Sequence, residues 1–208
     1  MGDAEEVHPD QPAPEAPNVE PFYVRSINGE RLWQGEILEN LPQARLALAS
    51  VEPAAGELEV ETDPHPLVII LSQDCDLEQD FRERQDGGSI LPNVLLCDLF
   101  LAEQLRGTVR DVEGLGSRDW RLIGQNKNER FQLLHAVTPE EDLKGEGLPT
   151  LAIDFRLYFT IRTDEVYRRI GQGTLRRCRL ATPYAEHLSD RFCHHLARVA
   201  LPREHSED

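Results

Sequence analysis

The chain has 208 residues, 39% of them hydrophobic, and sets 38 Asp and Glu against 22 Lys and Arg for a formal net charge of −16. That length suits one domain, and the acidity excludes a general phosphate-binding surface, which needs clustered Lys and Arg. No apolar run is long enough to cross a membrane as a helix.

The N-terminus lacks a basic-then-apolar leader, and the four cysteines, Cys75, Cys97, Cys178 and Cys193, form no CxxC pair. Together these features predict a soluble, cytoplasmic protein with free thiols. Residues 1–20 carry six acids, four prolines and no Lys or Arg, so they read as a disordered acidic tail. A single α+β domain is expected over residues 21–202, followed by a polar tail at 203–208.

Within that domain, Phe22–Ile27 and Arg31–Leu38 flank Asn28-Gly29, a strong hairpin turn signal. The pattern predicts a hairpin with Trp33 and Ile37 toward the core. Gly35 ahead of Glu36 marks a bulge or a close backbone approach. Leu41–Val51 predicts a third strand, with a helical turn over Ala44–Ala49 as the alternative, and Glu52–Pro64 an acidic loop.

Leu67-Val68-Ile69-Ile70-Leu71 is an unbroken aliphatic run, the signature of a strand buried on both faces. It is followed at once by Ser72-Gln73-Asp74-Cys75-Asp76. Leu77–Gln85 reads as a short helix or exposed loop, and Leu91–Leu96 as a strand ending in Cys97-Asp98. Phe100–Arg106 predicts a helix closed by Gly107. Residues 107–128 are polar, with Trp120 as anchor.

Arg130–Val137 and Leu151–Ile161 predict two further strands, the second with Ile153, Phe155, Leu157 and Phe159 on one face. A last helix starts with Thr182 as N-cap and Pro183 in its first turn. Its core stripe is Leu188, Phe192, Leu196 and Val199. The architecture expected is a small, strongly bent antiparallel sheet or an SH3-like barrel, packed by this helix.

The candidate chemistry gathers where the apolar run ends. If the strand continues, Ser72, Asp74 and Asp76 share one side and Cys75 the other. Two such carboxylates can hold Mg²⁺ or Mn²⁺, or form an acid–base pair in which each charge raises the other's pKa. Cys75 is a poor nucleophile between acids, though it is a candidate metal ligand. A zinc site assembled from Cys75, Cys97 and the Cys193-His194-His195 run is a further alternative. In the bland reading, Asp74 and Asp76 cap a turn and Cys75 is a small core residue.

Arg176, Arg177 and Arg179, with Arg168 and Arg169, form the densest basic stretch, and His187, Arg191, His194 and Arg198 line one helix face. They are candidates for an anion-binding patch; otherwise they pair with the surplus acids. Arg130 sits in the polar turn Asn126–Arg130 at a strand entrance, where binding residues often lie.

Gly35-Glu36-Ile37-Leu38, a loop, and then Pro66-Leu67-Val68-Ile69-Ile70-Leu71-Ser72 resembles the first half of the MazF/PemK toxin family, small SH3-like barrels that cleave RNA. The likeness spans residues 30–76. The catalytic Arg of that family's Arg-Pro pair is replaced here by His65, itself a residue able to act as general acid or base. The Ser72–Leu77 strand end and the Pro183-Tyr184 helix also resemble a bacterial protein class with a Ser-Gln-(Asp/Ser)-Cys-Asp-(Leu/Ile) motif.

These resemblances imply a bacterial intracellular binding or accessory module on a toxin-like barrel, in a toxin–antitoxin or defence setting. Its partner would be a protein or a small anionic ligand; the net charge disfavours nucleic acid. The rival expectation is a hydrolase or endoribonuclease using Asp74 and Asp76 with a divalent metal, or with His65.

Overall fold

A computed structural model describes residues 21–46, 60–105 and 117–197. The expected tails, most of the loop after residue 46, the end of the helix after Phe100, and Arg198 and Val199 lie outside these residues. The described chain is α+β. Its strands are β1 (Tyr23–Arg25), β2 (Glu36–Leu46), β3 (Val60–Ile70), β4 (Asn93–Leu101), β5 (Phe131–Leu134), β6 (Leu151–Arg162) and β7 (Leu175–Leu180). Its helices are α1 (Asp74–Gln85), α2 (Ser117–Gly124), α3 (Thr163–Ile170) and α4 (Tyr184–Leu196). The strands form one antiparallel sheet in the order β1-β7-β2-β3-β4-β6-β5, open at both ends.

The aliphatic run is central, as its composition requires. Val68, Ile69 and Ile70 are fully buried. Ile69 joins a core that includes Leu188 and Phe192 of α4. Val68 and Ile70 join a second core on the opposite face, with Leu77 of α1 and Val166 of α3. Helices therefore cover both faces of the sheet, and each buried aliphatic side chain contributes roughly 1.5–3 kcal/mol.

The sheet bends where its ladders slip. Between the pairs Cys97↔Tyr158 and Leu99↔Ile153, four β6 residues stand opposite the single residue Asp98. This bulge breaks the expected alternation: Phe155 is buried, but Leu157 is 43% exposed. The ends of the sheet come together without strand pairing, because Tyr23 on β1 donates its hydroxyl hydrogen to the carbonyl of His135, just past β5, at 2.7 Å.

Further expectations need correction: Val60–Pro64, expected in the acidic loop, already belong to β3, and Phe100, expected to open a helix, belongs to β4. The hairpin across Asn28-Gly29 does not form, because β1 pairs with β7 and β2 with β3 and β7. The chain turns at Gly29 and again at Gly35, where φ is +74°. There the Gly35 amide donates to the Ile70 carbonyl at 2.8 Å, and a Cβ would meet the Leu180 side chain at 3.0 Å. This second turn buries Leu32 in place of Trp33, which is only half-buried. In α4, Pro183 is the N-cap residue and the Thr182 hydroxyl bonds Glu186 Oε1 at 3.1 Å. The buried face runs through Leu188, Phe192 and His195, while Leu196 is 52% exposed.

Candidate functional site

The polar stretch after β3 is helical from Asp74, with Gln73 as the N-cap residue and Asp74 and Asp76 both in the first turn of α1. Two residues apart on a helix, they point to different sides, so the shared side expected of a continuing strand is absent. Asp74 is bound instead by Arg31, with Nη1 to Oδ1 at 3.0 Å and Nη2 to Oδ2 at 2.6 Å, and Oδ1 also accepts the Gln34 amide at 3.3 Å. Asp76 and Cys75 are exposed. Ser72, buried at the strand end, accepts the Leu95 amide at 2.8 Å.

Arg31 has a second role. Its guanidinium lies 3.5 Å from the centre of the Trp33 ring, and that of Arg179 on β7 lies 3.7 Å from it. Two guanidinium groups that close to one centroid cannot share a face without clashing, so Trp33 is held between them. Such cation–aromatic stacking is favourable when partly desolvated. It leaves the indole edge, with its N–H, as the available part of the ring.

This stack borders a cavity of about 280 Å³, lined also by Gln34, Asp74, Ala181, Thr182 and Glu186. Asp74 is bound by Arg31 and by the Gln34 backbone amide, and Glu186 Oε1 accepts from the Thr182 hydroxyl. Three other donors are without an acceptor. Among the described residues, the Arg179 guanidinium makes no hydrogen bond or ion pair, and neither does the Trp33 indole N–H. Gln34 is 92% buried, and its Nε2 has no partner. The first turns of α1 and α4 both reach this cavity through Asp74 and Glu186, adding the positive end of two helix dipoles.

The other sequence-predicted residues are dispersed. His65 lies on β3, with Nδ1 2.7 Å from Asp98 Oδ1, Nε2 3.3 Å from Gln43 Oε1, and its ring stacked on Phe159. It is not among the residues lining the cavity beside Trp33. Arg176 is buried against Glu36 at 2.7 and 2.8 Å, and also bonds the carbonyls of Glu30 and Arg31. Arg177 faces the other side of β7 and binds Asp142 at 2.7 and 2.6 Å, with Glu39 as a further partner. Burial alone would raise the Asp142 carboxyl. Hydrogen bonds from Arg177 and from the Lys144 and Glu146 amides outweigh it and lower the pKa to about 2.

Arg130 pairs with Asp154, which holds the β6 bulge. Arg191 ties α4 to β5 through Gln132 Oε1 and the Phe131 carbonyl, and to the turn before β5 through the Asn128 carbonyl. His194 is exposed and, with His187 and Lys127, borders a separate cavity of about 420 Å³. Arg176 and Arg177 thus sit in buried ion pairs and Arg168 and Arg169 pair with Glu165, so the basic stretch is not gathered into one patch. Among the described residues no three His, Cys, Asp or Glu side chains form a group able to hold a metal ion.

Arg31, Trp33 and Gln34 were not among the site residues read from the sequence. Arg179 was a candidate within the basic stretch, but only the antiparallel Glu36↔Arg179 pairing brings it beside the Trp33 turn. Another cavity, of about 600 Å³, is lined by Arg176 and Lys144 among others, and these two cations are paired, Arg176 with Glu36 and Lys144 with Glu39 and Glu146. No family model, curated protein or solved structure matches this chain.

Proposed function

We propose that the protein is a bacterial intracellular binding or accessory module, of toxin–antitoxin or defence type, that receives its ligand at the end of β3, against the Arg31–Trp33–Arg179 stack. One observation carries this reading: the cavity there is lined by three residues whose donors, the Arg179 guanidinium, the Gln34 side-chain amide and the Trp33 indole N–H, have no acceptor among the described residues. A site of this kind is ready to hold a ligand. Asp74 has both oxygens engaged by Arg31, which supports a positioning role over a catalytic one.

The finer fold reading, an SH3-like barrel akin to the MazF/PemK toxins, belongs to the same proposal. Its support is the Tyr23–His135 bond, which draws the two ends of the sheet together.

The test sets binding against catalysis on one preparation. RNA with Mg²⁺ or Mn²⁺ should stay intact. In a panel of anionic, cationic and neutral small molecules, at least one class should raise the melting temperature of the wild type but not of Arg179→Ala. RNA cleavage that Asp74→Asn abolishes would overturn the reading in favour of a nuclease.

A further inference from the structure

We infer that the cavity beside Trp33 binds a carboxylate; the inference rests on the binding-module reading and names its ligand class. Three donors of different kinds, the Arg179 guanidinium, the Gln34 side-chain amide and the Trp33 indole N–H, belong to residues lining one small space. None has an acceptor among the described residues. A buried amide nitrogen without a partner is destabilising, and a ligand oxygen would relieve that cost.

The unpaired arginine is the second anomaly. In a chain with 38 acidic residues and 22 basic ones, a half-buried guanidinium has carboxylates in excess to choose from. Of its neighbours on β7, Arg176 takes one and Arg177 takes two. Arg179 is instead stacked on Trp33, which presets the plane of its donor fork, and a preorganised fork suits a planar two-oxygen acceptor.

Asp74 and Glu186 border the same cavity, and Asp74 is already paired with Arg31. A second ligand charge strengthens the repulsion from Glu186 as much as the attraction of Arg179, so the planar fork, which matches a two-oxygen acceptor, is what favours a carboxylate over phosphate. The volume, about 280 Å³, admits a small carboxylic acid or the terminal residue of a peptide. Both sources present the same group, and the experiment separates them.

The probe is Trp33 emission in a Trp120→Phe background, where Trp33 is the only tryptophan. Titrants are sodium acetate, sodium benzoate, inorganic phosphate, acetamide, benzamide, and trialanine with a free or an amidated C-terminus. The carboxylates should give saturable changes, their amides none, and phosphate a weaker response than either carboxylate. Arg179→Ala should lower carboxylate affinity at least ten-fold. Arg179→Lys, which keeps the charge but loses the fork, should lower it by a smaller factor and guards against a folding defect in the alanine variant.

Tighter binding of free trialanine than of acetate identifies a chain terminus as the source; the reverse identifies a small acid. Equal responses to acids and amides, phosphate tighter than carboxylate, or affinity unchanged by both Arg179 variants would overturn the inference. A saturable response confined to amides or phosphate and lost in Arg179→Ala would overturn the carboxylate while leaving the binding module standing. No response to any titrant would overturn both.

Discussion

Replacing Arg176 by Met tests whether the basic stretch on β7 is structural. Arg176 and Glu36 are 3% and 0% exposed. The arginine supplies two of the four hydrogen bonds to the Glu36 carboxylate; the others come from the Ser26 hydroxyl at 2.7 Å and the Trp33 amide at 3.3 Å. Arg176→Met leaves a buried carboxylate with two neutral donors and no counter-charge, and removes the donors to the Glu30 and Arg31 carbonyls. Breaking a buried pair from one side costs about 3–5 kcal/mol.

For a chain of this size, that loss lowers the melting temperature by roughly 6–20 °C. Urea unfolding monitored by circular dichroism measures it. The double variant Arg176→Met/Glu36→Leu should lose clearly less than the sum of its two single changes, because the second change removes the stranded charge. A single-variant loss below about 1 kcal/mol, or simple additivity, would refute the structural assignment of Arg176.

Four further outcomes are expected. Asp74→Asn should cost about 1 kcal/mol in urea unfolding, since its bond to Arg31 is partly solvent-exposed; exposed Asp76→Asn should stay within about 0.5 kcal/mol, and equal losses would contradict the Arg31 pairing. Asp142 has a folded pKa held at about 2, below the unfolded carboxylate value, so its stabilisation is complete above about pH 4 and is lost as pH falls toward 2. The wild type should therefore lose more stability over that window than Asp142→Asn. Phe192→Ala should cost about 3–5 kcal/mol and exposed His194→Ala almost nothing; comparable losses would mean α4 is rotated. Cys75 and Cys193 are exposed and Cys97 and Cys178 buried, with burial pushing both inner thiols up, so a thiol reagent should modify two cysteines in the native protein and four in urea.

The sequence made the core legible and the site only in part. Leu67–Leu71 announced a central strand because an uninterrupted aliphatic run has no polar face to give to water. Leu188 and Phe192 announced the buried side of α4 through their spacing. Asn28-Gly29 misled, because a local turn signal says nothing about which strand the chain pairs with afterwards; β7, some 150 residues later, takes that place. The charge repulsion expected between Asp74 and Asp76 presumed strand geometry, and helix α1 begins one turn earlier than Leu77 suggested.

Asp74 was legible as a position of interest, but its partner was not, since nothing local links residue 31 to residue 74. The Trp33 stack depends on the Glu36↔Arg179 register, a contact between distant segments. Buried Asp80 was missed for a similar reason. It lies on an otherwise polar helix, yet accepts the Ile90 and Leu91 amides at 2.9 Å each and so fixes the entry into β4.

The most direct test of the central claim is the indole N–H region of a ¹⁵N–¹H spectrum, where Trp33 and Trp120 give the only two side-chain signals. On titration with sodium benzoate, the Trp33 indole resonance should shift saturably and the Trp120 resonance should stay in place. A Trp33 resonance that does not move, or one that moves no more than that of Trp120, would contradict a ligand site at the end of β3.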